Sequence, residues 1–592
     1  MTAEIATGTL ALDSKKIFYN RFLLVVSGLG GLLYGVDVGI VAGALPYLEA
    51  TSGLNSGQLS FVAAAVLLGS VISTLFAGLL ADWMGRRSLM TVSGLMFVIS
   101  IPVIALSHGY SPLIFGRLLQ GVSAGLIGIV VPLYLAECLT AAKRGQGTGI
   151  FQWLLTLGIV SAALVGAYFS YRVDQVAKLG DAARLLAFKD TAWRGIFWVS
   201  LPPGILFVIG SLMVAESPRW LLRHGRKEGA YAALLRSRST AEADLEMREM
   251  EQVIAAEKNK SGSKSGESLL RRKYVIPFVL ACIILAFNQA TGINSIIAYN
   301  TNILLQSGLS DVAAHWGYVI FTIVNFLVTF GGVMLVDRKG RKFLLTLGTG
   351  GIIASMLCTG GIFLHTEKLR VDASSAVQSM VTPDQNLTLL YNRDVAEKLT
   401  GGNAARPTSL VVIYAYGDFR AASQAVRSDD PAAKPISLTR DSCVPANKVV
   451  AFFSNPFGDL GAARTAPLKI ENALISPVPG SGNGWFVAIT LFVFMAFYAV
   501  GPGVCVWLAL SELMPTRIRS NGMSIALLLN QAVATLIAAI FLPTVGKYGY
   551  STMFFAFAGC TIVYFITAAF FLPETKGKTL EEIEAHFEGT AH

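Results

Sequence analysis

Two charged side chains stand where charge is least welcome. Asp37 lies inside an apolar run that begins near Phe22, and Arg117 lies inside another that begins near Pro112. An ionisable residue at such depth is costly and marks function, with a partner to be named. At ~1.5 Å of rise per residue, Asp37 sits ~22 Å from the start of its run. Arg117, on a run of opposite direction, sits ~8 Å below the other boundary, which leaves it ~22 Å above the first in a ~30 Å hydrocarbon core. The two are level. Facing each other, they form an ion pair that holds Asp37 ionised; apart, a carboxylate in a low-dielectric site takes up a proton. A pair that is made and broken is therefore a proton-loading switch, and the plainer alternative is a static tie between helices.

A second set of side chains is polar but uncharged. The apolar runs carry the amides Gln152, Asn288, Gln289, Asn294, Asn325, Asn530 and Gln531. Each amide supplies two donors and an acceptor, which suits a ligand rich in neutral hydroxyls. Trp507 and Tyr34 offer aromatic faces for the apolar side of a ring. Gln289 and Asn294 are five apart, off one helical face, and Gly292 between them permits local unwinding. Gly501-Pro502-Gly503 likewise interrupts a helix.

These residues need a scaffold, and composition dictates which. The 592-residue chain is 53% hydrophobic and 14% charged, with mean hydropathy +0.58; soluble proteins carry roughly 25% charged residues. Twelve spans are expected near 22–48, 57–81, 88–108, 112–137, 147–170, 193–215, 275–304, 314–336, 343–364, 485–510, 520–545 and 550–572. The polar N-terminus is no signal peptide, and the first run is long enough to remain as span 1. The net charge of +10 lies mainly in loops assigned to one side, with Arg86, Arg87, Lys143, Arg144, Arg338, Lys339, Arg341, Lys342, Arg517 and Arg519, against Lys547 on the other. That asymmetry puts both termini in the cytoplasm of an inner or plasma membrane and excludes nucleic acid as partner. The six cysteines show no CxxC spacing, the six histidines (His315 among them) are scattered, and no GxSxG, HExxH or phosphate loop occurs. Neither enzyme, cofactor nor metal is expected.

The runs repeat. Asp82-x-x-Gly-Arg-Arg after span 2 matches Asp337-x-x-Gly-Arg-Lys after span 8, and Glu137 with Arg144 matches Glu512 with Arg519. The offsets differ: 337 − 82 = 255 but 512 − 137 = 375, so 120 extra residues lie between spans 9 and 10. Five segments follow: a six-helix half at 1–215, a cytoplasmic helical linker at 216–273 (helices at Lys227 to Ser237 and Ala241 to Glu257), spans 7–9 at 274–365, an extracytoplasmic insertion at 366–484, and spans 10–12 with a tail at 485–592. The insertion holds strand-like runs at Ser409 to Tyr416 and Lys448 to Ser454 and reads as a small folded module. Small residues at Gly31-x-x-x-Gly35 and Gly121-x-x-x-Gly125 allow close helix contact.

In this order, Asp82-x-x-Gly-Arg-Arg, Glu216-Ser-Pro-Arg-Trp, Asn288-Gln289-x-x-Gly292-x-Asn294, Asp337-x-x-Gly-Arg-Lys, Gly501-Pro502-Gly503 with Trp507, and Pro573-Glu574-Thr575-Lys576-Gly577 resemble the sugar porter family of the major facilitator superfamily. Bacterial proton–xylose symporters and facilitative glucose transporters are the members most alike. The resemblance implies an all-α fold of two six-helix halves and alternating-access symport of a monosaccharide with protons by a monomer in the bilayer. It implies sugar ligands at Gln152, Gln289, Asn294, Asn325, Trp507 and Asn530. It also places an acid and a base at Asp37 and Arg117, where the facilitators have a neutral residue for the acid. The chain departs from the family at Asn288, commonly glutamine, and at Gln531, commonly tryptophan, so the particular sugar stays open. On the cytoplasmic side, Asp82 with Arg86, Glu137 with Arg144, Glu216 with Arg219, and Glu512 with Arg519 form an expected latch, with Asp337 and Arg341 in the corresponding place of the second half. A facilitative uniporter is the alternative, and a non-transporting sugar receptor is a more distant one.

Overall fold

The computed structural model describes the backbone of residues 2–139, 141–260, 272–401, 407–430, 434–448, 451, 455, 457–514, 519–575 and 587; within these, the side chains of 2–14, 141–148, 253–260, 273, 337, 507–512, 519–521 and 524 are not described. Among the described residues, twelve helices are long and apolar enough to cross a bilayer: Lys15–Ser52, Ser56–Met84, Arg86–Ala105, Tyr110–Cys138, Gly149–Ala177, Ala182–Met213, Tyr274–Ala298, Asp311–Val336, Arg341–Glu367, Ser481–Val506, Ile525–Tyr548 and Tyr550–Phe571. They are called spans 1 to 12. Spans 1–6 and spans 7–12 form the two halves expected of a major facilitator fold. The overhangs beyond the apolar runs are local capping chemistry. Asn55 and Gln58 close a reciprocal capping box that starts span 2, which satisfies two of the free N–H groups at a helix start.

Glycine sets how closely the spans approach. A Cβ on Gly35 would lie 1.8 Å from the backbone oxygen of Leu155, and one on Gly121 would lie 2.1 Å from that of Val66. Spans 1 and 5, and spans 2 and 4, thus meet backbone to backbone. In lipid, where tails are as apolar as leucine, such contact is what binds helices.

Span 6 is interrupted at Val199 and Ser200, and spans 7 and 10 are broken beside glycines. Helix Arg272–Ala290 stops before Gly292, which is left-handed at φ 83°, and resumes as Ile293–Ala298. A side chain at Gly292 would strike the Phe557 ring at 2.4 Å, so both conformation and space call for glycine there. Span 10 ends its first helix at Val500, and Pro502 begins the next. The linker forms Pro218–Arg223, Lys227–Leu235 and Thr240–Lys260.

Between spans 9 and 10 lies a β module. Its main sheet centres on β3 (Thr408–Tyr416), flanked by β7 (Leu468–Pro477) and β4 (Phe419–Ala422); β1 (Val371–Asp372) pairs with β7, and β5 (Val426–Arg427) with β3. A second ribbon joins β2 (Leu387–Leu389) to β6 (Ile436–Leu438). All pairings are antiparallel. Leu410, Val412, Tyr414, Val377, Leu438 and Ile475 share the module's own core. The run Lys448 to Ser454 is not a strand where described. Ala451 donates its N–H to Asn447 at 3.0 Å, the i−4 bond of a helical turn, which no neighbouring strand contests.

The Gly35 contact is testable. Gly35→Ala should wedge spans 1 and 5 apart, costing about 1–3 kcal/mol and lowering the apparent melting temperature of the detergent-solubilised protein by several degrees. An unchanged melt would show that the two backbones are not in contact.

Candidate substrate and proton site

Asp37 and Arg117 face each other from spans 1 and 4. The Arg117 Nη1 lies 3.8 Å from Asp37 Oδ1, and each side chain is 1% exposed. The pair is electrostatic and loose. Neither Asp37 oxygen receives a hydrogen bond, whereas Arg117 gives Nη1 to the Gln120 amide oxygen at 2.6 Å and sets its guanidinium 5.6 Å from the Phe197 ring centre. At 3.8 Å and an effective dielectric near 20 the attraction is about 4 kcal/mol, comparable with the several kcal/mol needed to strip water from one ion. A balance so close is tipped by small movements of span 1 against span 4.

Tyr34, three residues before Asp37 on span 1, lies against span 4, where a Cβ on Gly128 would stand 3.3 Å from its ring. The amides gather in the second half. Gln289 gives Nε2 to Asn530 Oδ1 at 3.2 Å and accepts from Asn294 Nδ2 at 2.8 Å. Asn530 in turn gives its Nδ2 to the Leu285 carbonyl at 2.9 Å. The break at Gly292 is what lets Gln289 and Asn294 meet although five residues separate them. Asn288 joins through the Tyr498 hydroxyl at 3.4 Å, and its Oδ1 has no partner. Asn325 is held by Thr329 at 3.2 Å within span 8. Gln152 is exposed on span 5 and makes no side-chain hydrogen bond among the described residues. The Trp507 side chain lies outside the described residues.

The two ends of the bundle differ. At the module face the halves are stitched together. The Tyr47 hydroxyl donates to Asp311 Oδ2 at 2.7 Å and its ring stacks on His315 at 5.5 Å. His315 reaches the Gly43 carbonyl at 3.2 Å, Tyr318 that of Gly39 at 3.1 Å, and Asn302 the Glu49 carboxylate at 2.6 Å. At the opposite face the ion pairs run within a half. Arg86 pairs with Asp82 at 2.8 Å and Glu137 at 2.9 Å, and Glu137 also accepts from the Ser217 hydroxyl.

Of the expected latch pairs, Asp82 with Arg86 is present. Glu137 also binds Arg86, and the Arg144 side chain lies outside the described residues. Glu216 does not pair with Arg219, which is exposed; it accepts from the backbone N–H of Arg86 and Arg87 at 2.9 and 3.1 Å. Glu574 does the same for Arg341 and Lys342 at 3.0 and 3.2 Å. A carboxylate at a helix start satisfies free N–H groups and faces the positive end of the helix dipole. Gly85 and Gly340, at φ 92° and 90°, make the room, since a Cβ there would lie 2.3 and 2.4 Å from these carboxylates. The side chains of Asp337, Glu512 and Arg519 lie outside the described residues.

Sequence reasoning missed Gln120, although an amide three residues after a buried arginine on one helix is an i, i+3 neighbour. It also missed Tyr47, Asp311 and Asn302, for which span-end position gives no signal.

Arg86 supports a prediction. Arg86→Met leaves the buried Glu137 without its cation, which typically costs about 3–5 kcal/mol. Thermal unfolding of the variant should show a large drop that Arg86→Lys only partly restores, and a wild-type melt would remove Arg86 from the cluster.

Comparison with known proteins gives a concordant result. The family model described as "Sugar (and other) transporter" matches residues 23–382 and 468–587, leaving most of the module unmatched. The glucose transporter GlcP of Staphylococcus epidermidis is 27% identical over 573 residues, covering 95% of this chain and 97% of that protein. The human proton myo-inositol cotransporter is 27% identical over 575 residues, covering 95% of this chain and 81% of that one. Among solved structures, the inward-open xylose transporter XylE from E. coli aligns with a TM-score of 0.63 at 20% identity, covering 95% of this chain and 98% of that chain.

Proposed function

The chain belongs to the sugar (and other) transporter family, and from that premise we propose that it moves a monosaccharide or related polyol together with a proton by alternating access. The observation that carries coupling is Asp37: a buried carboxylate whose oxygens accept no hydrogen bond and whose cation stands off at 3.8 Å. Its charge rests on Arg117 alone. When the halves rock and span 1 shifts against span 4, that support goes and the carboxylate takes a proton; when they return, the proton leaves. The human relative named a proton myo-inositol cotransporter supports this class of energetics. A uniporter would have no use for an acid there.

The ligand set is Gln289, Asn294, Asn530 and Asn288 with Asn325, Gln152, Trp507 and Tyr34 around them. In the described state three of these amides bind one another, so a sugar would exchange amide–amide bonds for amide–hydroxyl bonds and leave no polar group stranded. In this reading both termini are cytoplasmic, the module face is extracytoplasmic and the structure is closed on that side. Asp82, Arg86, Glu137 and Glu216, with Asp337, Arg341, Glu512 and Arg519 in the second half and Arg144 and Arg219 alongside, form the opposing gate.

Two measurements decide. In proteoliposomes, Asp37→Asn should abolish sugar accumulation driven by a pH gradient while sparing sugar exchange; uphill uptake by the variant would refute the coupling role. Asn530→Ala should weaken sugar binding at least tenfold, the ~1.4 kcal/mol or more expected for a lost ligand hydrogen bond, while costing about 1–3 kcal/mol of stability because Gln289 Nε2 loses its acceptor. Unchanged affinity would move the ligand site elsewhere.

A further inference from the structure

His315 is a buried titratable group that the Asp37 mechanism does not use. It lies at the module-face end of span 8, where the two halves meet, and none of its side chain is exposed. Both ring nitrogens face oxygen. Nδ1 lies 2.9 Å from the backbone carbonyl of Asp311 and 3.3 Å from its Oδ1, and Nε2 lies 3.2 Å from the Gly43 carbonyl of span 1. Tyr47 stacks on the ring with 7° between their planes, which fixes its tilt.

Counting donors decides the protonation. A backbone carbonyl accepts and cannot donate, and neutral imidazole has one N–H. In that form one nitrogen would set a bare lone pair against an oxygen. Only imidazolium satisfies both contacts. Asp311 is its countercharge, with Oδ2 accepting from the Tyr47 hydroxyl at 2.7 Å and Oδ1 turned to the ring. The charged groups on neighbouring elements are engaged with others. Lys189 of span 6 stands within electrostatic reach of Asp311 and pairs with Asp430 of the module at 3.5 Å. Glu49, two residues beyond Tyr47 on span 1, accepts from Asn302 at 2.6 Å. Span 5 meets the ring at Gly166, which carries no charge.

We propose that His315 is a second proton-binding site, occupied while the module face is shut and vacated when it opens. Opening takes Gly43 away with the first half. Nδ1–H then stays with Asp311 on its own helix, and Nε2 can stand bare in water. The shut state thus binds one proton more than the open state, and acid on this side favours shutting by linkage. That stabilisation is complete where an imidazole in water is itself protonated, below about pH 6.5, and fades as the solution turns alkaline. Asp311, 32% exposed, gives the proton a way in. Because the proton enters and leaves on one side it is not carried across, so the site gates the face and leaves coupling to Asp37. It rests on the alternating-access reading but not on Asp37.

The test follows backbone deuterium exchange of residues 39–52 in the full chain in lipid nanodiscs, corrected for the intrinsic effect of pH. Exchange there should slow about tenfold between about pH 8 and about pH 5, the worth of one hydrogen bond to a charged group. The slowing should persist in Asp37→Asn. His315→Gln, which keeps a donor for Gly43 but cannot titrate, should abolish it. Should that variant fold poorly, Asp311→Asn removes the countercharge and should move the change to more acid pH. In proteoliposomes at equal pH on both sides, sugar exchange should slow with acid in the wild type and not in His315→Gln. The deuterium measurement needs no sugar, so it can fail while the transport proposal stands. Wild-type exchange indifferent to pH overturns the site. A pH dependence kept by His315→Gln overturns it too, and its loss in Glu49→Gln would then place the proton on Glu49.

Discussion

A bilayer offers no hydrogen bonds, so every polar group taken into it must find its partner inside the protein. That constraint orders the rest of this structure. It accounts for the helical spans, for the backbone contacts at Gly35 and Gly121 that replace a hydrophobic drive, and for the grouping of the polar side chains into clusters. Gln289, Asn294 and Asn530 bind each other because a lone amide at that depth would cost more than any single contact returns. Asp37 is the charged exception beside several neutral ones: its oxygens accept nothing, and neither do Asn288 Oδ1 and Asn302 Oδ1.

The two halves share their ends and divide their centres. Glu216 and Glu574 cap spans 3 and 9 in the same manner, each beneath a left-handed glycine. Among the described residues, the buried Asp–Arg pair belongs to the first half and the amide chain to the second. The charged pair and the amides are thereby kept on different halves. The halves meet at the seam, where His315 and Tyr318 bind the Gly43 and Gly39 carbonyls of span 1. On the proposed reading, a sugar held by the second half reaches Asp37 energetically through how that seam closes.

Much of this was legible in the residues. Twelve runs, their internal repeat and the 120-residue offset located the spans and the insertion, and the depths of Asp37 and Arg117 placed them level before any coordinates were known. Gly292 announced the break that brings Asn294 back to Gln289. The misses share a physical cause. Glu216 was given to Arg219 because opposite charges three apart suggest a pair, whereas a helix start one turn away in space offers two N–H groups already aimed. Lys448 and Ala451, the described residues of the run read as a strand, are helical, since strand formation needs a neighbour. Tyr47, Asp311 and His315 lie at span ends, where hydropathy is silent, and they acquire meaning only when one half is laid against the other.

The module adds a mechanical condition. It is covalently part of the second half, entering from span 9 and returning to span 10, yet its hydrogen bonds reach the first half. Asn55 donates to the Ser442 carbonyl at 2.5 Å, Ser56 to that of Ala422 at 2.9 Å, and Lys189 reaches Asp430 at 3.5 Å. Gln424 and Lys434 bind the carbonyls of Leu54 and Thr51. These bonds span the line along which the halves part. Each is individually modest, on the order of 1 kcal/mol, but they would break together with the Tyr47–Asp311 and Asn302–Glu49 contacts beneath them. Opening this face therefore costs the chain more than it would cost a transporter with a short loop between spans 9 and 10. On the alternating-access reading, the equilibrium between faces is set partly by this folded module.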